Sequence, residues 1–84
     1  MNAIEDLTNQ EGNVLALVAQ GRRNAEIAQE LYLSVRTVES HLYSIFKKLR
    51  ITSRTEAAIY AFESGLFLKL EFSGSTQGKG EQSN

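Results

Sequence analysis

Residues 24–49, NAEIAQELYLSVRTVESHLYSIFKKL, decide the fold. Ile27, Ala28 and Leu31 recur at helical spacing and form the inner face of a short helix over 24–31, with Asn24 as its N-cap candidate. Only Tyr32 and Leu33 separate this helix from Ser34, a good cap for a longer helix over 35–49. At 100° per residue, Val38, Leu42, Ile45 and Leu49 of the longer helix fall within about 60° of one another, which makes a single core stripe. The opposite face is Arg36, Ser40, Tyr43 and Lys47, with Glu39 and Arg50 on one shoulder and Thr37, Ser44 and Lys48 on the other. That face mixes basic, hydroxyl and aromatic groups and carries no aliphatic residue. By itself it reads as a solvated surface. A short helix, a tight turn and a longer helix with a polar outer face is, however, the helix-turn-helix pattern.

Working outward, two further helices flank this unit. Thr8-Asn9-Gln10-Glu11 is a capping box, followed by Val14, Leu15, Leu17 and Val18 and stopped by Gly21. Ser53-Arg54-Thr55-Glu56 is a second capping box, and its helix ends at Gly65. The reading is an all-α, compact four-helix domain with helices over about 8–20, 24–31, 35–49 and 54–64. On the fourth helix, Thr55, Ala58, Ile59 and Phe62 are expected to face inward. Ala57, Tyr60, Ala61 and Ser64 are expected to face outward, where small residues at i, i+4 and i+7 would let another helix approach as a dimer contact. Residues 1–6 are expected to be flexible and 7–72 to form the domain. Within 66–72, LFLKLEF, part is expected to close the core. The stretch 73–84, SGSTQGKGEQSN, has no apolar side chain and is expected to be disordered.

Composition excludes most alternatives. The 84 residues contain no cysteine, so neither a disulfide scaffold nor a thiolate zinc site supports the core. The one histidine, His41, sits at the edge of the core stripe and is expected to be a packed residue rather than a ligand. Glu39, Ser40 and His41 resemble catalytic ingredients, but neighbouring helix positions diverge by 100° and do not converge. No phosphate-binding glycine loop or metal constellation stands out, so neither enzyme chemistry nor a cofactor is expected. No apolar run approaches the roughly 18 residues of a membrane span, and residues 1–6 do not resemble a signal peptide; a cytoplasmic protein is expected. The net charge of −1 argues against nucleic acid until it is counted by segment: −3 over 1–21, +4 over 22–54 and −2 over 55–84. The average conceals a basic centre between acidic ends.

The spaced elements LT..E at 7–11, VLALVAQG at 14–21, N.EIA..L at 24–31, S..TV..HL at 34–42, I..KL at 45–49 and RTEAA at 54–58 together resemble the LuxR-type (FixJ, GerE or NarL-like) helix-turn-helix of bacterial transcription regulators. The resemblance covers about residues 7–66. It implies a DNA-binding domain whose third helix reads the major groove and whose fourth helix mediates dimerisation on a two-fold operator. Carried over by position, Glu39, Ser40 and Tyr43 fall where family members contact base edges, and Arg36 and Lys47 where basic residues approach bases or backbone. Asn24, Ser34, Thr37, Lys47 and Lys48 form the implied phosphate-contacting set. Some family members carry lysine or arginine at the positions of Glu39 and Tyr43. A glutamate would instead accept from cytosine N4, or simply favour the helix dipole; a tyrosine would pack on a thymine methyl or donate to phosphate. Tyr32 and Arg50 stand where the family often has glycine, and both are sterically less suited to positive φ.

The resemblance implies double-stranded DNA as the principal partner, a homodimer on DNA, and contacts with RNA polymerase and an N-terminal receiver or ligand-binding domain. The expected setting is the C-terminal output domain of a two-component response regulator, or a stand-alone regulator, associated with the nucleoid when bound. The competing reading is a protein-interaction module that retains the fold without strong DNA binding.

Overall fold

The computed structural model describes residues 6–65, which form α1 (Asn9–Ala19), α2 (Asn24–Leu31), α3 (Val35–Leu49) and α4 (Arg54–Ser64), with no strand among them. The four-helix, all-α architecture is the expected one. The expectations for residues 1–5, for 66–72 and for the 73–84 stretch lie outside the described residues.

α1 is the hub. It packs against α4, α3 and α2, while α2 also packs against α3. Val14, Leu15, Ala16, Leu17 and Val18 are all buried along it. Ile27 and Ala28 of α2 and the Val38, Leu42, Ile45 and Leu49 stripe of α3 close on this centre. Each fully buried branched side chain contributes roughly 1.5–3 kcal/mol of hydrophobic stabilisation before ordering entropy is subtracted.

Helix ends are fixed by specific hydrogen bonds. Thr8 Oγ1 accepts from the Glu11 amide at 3.1 Å, and the Thr8 amide donates to Glu11 Oε1 at 3.0 Å, completing the predicted box. Three helix C-termini share one lock. Arg22 N–H donates to Leu17 O, Leu33 N–H to Ala28 O and Ile51 N–H to Phe46 O, at 3.1, 2.8 and 3.1 Å. Each lock needs a left-handed residue just before the donor. Gly21 supplies the first without strain, but Tyr32 (φ 58°) and Arg50 (φ 56°) supply the others as non-glycine residues. Leu33 and Ile51 pack against the core beside these turns and hold the conformation in place. The tight turn between α2 and α3 therefore survives the loss of glycine, at a cost of about 1–2 kcal/mol per turn.

Three local expectations are corrected. Asn24 is not a cap: the N-cap position is Arg23, and the closing bond runs from its backbone N–H to Glu26 Oε1 at 2.8 Å. Ser53 Oγ caps α4 through the Glu56 amide, but the Glu56 carboxylate reaches one residue further back, to the Thr52 amide at 2.8 Å. The largest correction is the rotation of α4. Ala57 and Ala61 are fully buried, whereas Ile59 and Phe62 are 51% and 63% exposed. α4 meets α1 through its small residues because alanines let two helix axes approach closely, and the bulkier side chains are left outside.

Candidate nucleic-acid interface

Ser34 positions α3. Its Oγ accepts from the Thr37 amide at 3.0 Å and donates to Thr37 Oγ1 at 2.9 Å. The Ser34 hydroxyl hydrogen is thereby used internally, and of the pair Thr37 retains a hydroxyl proton for an outside acceptor. The first-turn amides of Val35 and Arg36 have no intrahelical acceptor and, with the helix dipole, favour an anion at this end.

The core stripe, pinned by α1 and α2, turns the other side of α3 to solvent. Arg36, Glu39, Ser40 and Tyr43 are all exposed and line one open concavity of about 330 Å³. The four residues expected to face bases are therefore brought together. Lys47 extends the row: its Nζ lies 5.5 Å from the Tyr43 ring centroid, a cation–π distance that holds charge and aromatic surface side by side.

Lys48, expected at phosphate, does not join them and is engaged within the domain. Its Nζ donates to Glu11 Oε1 at 2.8 Å and to the Asp6 carbonyl at 3.2 Å. Glu11 is buried, and burial by itself would raise its pKa. The Lys48 hydrogen bond, the Thr8 amide, Ser44 and the Lys48 charge outweigh that and lower it from 4.5 to about 2. Lys48 thus neutralises a buried carboxylate and ties the start of α1 to the end of α3. Arg22 is likewise engaged, with Glu30 at 2.9 Å. Arg23, Arg36, Lys47 and Arg50 have no carboxylate partner among the described residues. The basic excess of the central segment is carried at the surface by these four.

The dimerisation set fares worst. Ala57 and Ala61 lie in the core, Tyr60 is half-buried against it, and the Ser64 hydroxyl donates to the Ala61 carbonyl at 3.0 Å. Buried alanines present no surface to a second molecule. The error has a visible source: residues 57–62, AAIYAF, are six consecutive apolar or aromatic residues, so they mark no preferred face.

In the sequence Arg54 stands out only as a charge and a motif letter. Its guanidinium donates from Nη1 to Asn24 Oδ1 and from Nη2 to the Arg22 carbonyl, both at 2.7 Å, joining the start of α4 to the start of α2. An arginine at the first position of a helix opposes the helix dipole, and that misfit was the available signal.

Among the described residues there is no cluster of His, Cys, Asp or Glu able to hold a metal, and no helix long and apolar enough to cross a membrane. The comparison with known proteins agrees with the helix-turn-helix geometry. Residues 5–61 match the family model described as bacterial regulatory proteins, luxR family. The chain belongs to the LuxR family. It is 42% identical over 62 residues to the transcriptional regulatory protein LiaR of Bacillus subtilis, a match covering 74% of this chain and 29% of LiaR. The response regulator protein VraR of Staphylococcus aureus and that of Staphylococcus epidermidis are each 42% identical over 62 residues, covering 74% of this chain and 30% of VraR. The match therefore spans less than a third of each relative's length. LuxR-family membership places the chain among regulators rather than enzymes.

Proposed function

We propose that this chain binds double-stranded DNA with α3 in the major groove and regulates transcription. The observation that carries the reading is the single exposed face of α3, where Arg36, Glu39, Ser40 and Tyr43 surround one concavity beside Lys47. A helix with its side chains fits a groove about 12 Å wide, and this face offers a cation, a carboxylate, a hydroxyl and an aromatic ring to base edges. Docking begins on phosphates, through Lys47, the Asn24 amide, the Thr37 hydroxyl and the first-turn amides of α3. Readout follows: Glu39 accepts from cytosine N4, Tyr43 packs on a thymine methyl, and Arg36 and Ser40 complete the contact.

Two copies bind half-sites about one helical turn apart. The dimer forms through α4, by the exposed side bearing Ile59 and Phe62. The likeness to VraR, a response regulator protein, supports a setting in which the domain is the output of such a regulator, joined to a receiver domain.

The test is a titration of duplex DNA at several salt concentrations. A protein that releases counterions loses affinity steeply as salt rises, by a log–log slope of about −0.9 per phosphate contact. Arg36→Ala with Lys47→Ala should make that slope less negative by about 0.9, the share of the Lys47 phosphate contact, whereas Lys48→Ala should leave it unchanged. Affinity independent of salt, or an intact slope in the double variant, would rule out this docking.

A further inference from the structure

The Arg54 side chain spans two helix starts. Both of its donors cross to the segment ahead of α2, Nη1 to Asn24 Oδ1 and Nη2 to the Arg22 carbonyl, each at 2.7 Å. A guanidinium has donors only, so the Asn24 amide atom that faces it must be the oxygen. The amide can then be turned only one way. Its Nδ2 points away from Arg54 and, among the described residues, donates to nothing, although Asn24 is only half-exposed.

The neighbouring groups are held as well. The Arg22 side chain is drawn to Glu30 at 2.9 Å, and the Arg23 amide is closed by Glu26 at 2.8 Å. The approach to α2 is thus fixed at its side chains and its backbone, with one unused pair of N–H donors beside the positive end of the α2 dipole.

We infer that Arg54 is a positioning residue for backbone binding: it locks the Asn24 amide so that Nδ2 donates to a DNA phosphate, with the guanidinium charge behind the contact. The inference rests on the DNA-binding reading and deepens it. The phosphate contact at α2 is built by a residue of α4, thirty positions away in the chain.

A double-mutant cycle tests this in the full chain, with duplex affinity and thermal stability measured on every variant. Asn24→Asp keeps the acceptor for Arg54 but replaces the donor with an anionic oxygen; its melting temperature should hold while affinity falls by about tenfold or more. Arg54→Met should weaken binding about 5- to 10-fold in the wild-type background and less than about twofold in an Asn24→Ala background. Arg54→Lys, which cannot form the fork, should not rescue binding. An Asn24→Asp variant that binds like the wild type overturns the inference, even if Arg54→Met does not fold. So does an Arg54→Met loss of equal size in both backgrounds, the result of a merely structural role. A wild-type chain with no affinity for DNA would sink the functional reading itself, a result distinct from either of these.

Discussion

α3 hides branched aliphatics and shows charge, whereas α4 hides two alanines and shows Ile59 and Phe62. The two helices meet different demands. α3 closes the core with Val38, Leu42, Ile45 and Leu49, so its remaining surface is free to be polar and to meet an anion. α4 packs along α1 through its small side chains, and its larger apolar groups stay largely exposed. A helix's most apolar side chains mark its inner face only when the gap to its neighbour is wide enough to hold them.

The largest expected effect tests the orientation of α4. Ala61→Arg should destroy the fold, since a buried unpaired charge and overpacking together cost more than about 4 kcal/mol. Ile59→Arg should change stability by no more than about 0.5 kcal/mol while weakening self-association on DNA. Circular-dichroism melts and sedimentation of both variants decide the matter; a normally folded Ala61→Arg would reverse the two faces.

Next in size is the tie that keeps α3 in register with α1. Glu11 has a folded-state pKa of about 2 against an ordinary 4.5, a depressed carboxylate. Its stabilisation, about 3 kcal/mol, is fully present above pH 4.5 and is lost as pH falls through 2. Glu11→Gln should lower stability at neutral pH by that order and flatten the acid limb of a stability–pH curve. An acid limb unchanged in the variant would mean that the pair with Lys48 does not hold α3.

The smallest effect concerns the turn that delivers α3. Tyr32 is 95% exposed and left-handed, so its ring adds little to the core while its Cβ strains the backbone. Tyr32→Gly should raise stability by about 0.5–1 kcal/mol in a denaturant titration. A loss of stability would show that the ring has a structural partner.

The contrast between the helices also explains what could be read in advance. On α3, aliphatics at 38, 42, 45 and 49 are separated by residues that are polar except for Tyr43 and Phe46, so one face is specified and both its burial and its exposed residues follow. On α4, the unbroken AAIYAF leaves the direction to tertiary packing, which periodicity does not see. Caps at Thr8, Ser34 and Ser53 were legible because capping is local chemistry. The roles of Lys48 and Arg54 were not, since their partners Glu11 and Asn24 lie 37 and 30 residues away.

Chemical-shift mapping of the isotope-labelled chain with duplex DNA tests the central claim most directly. The account predicts perturbations concentrated at Arg36, Glu39, Ser40, Tyr43 and Lys47, with a second group at Asn24 and Thr37. Shifts confined to Ile59, Phe62 and their neighbours on α4, with the α3 face silent, would contradict it.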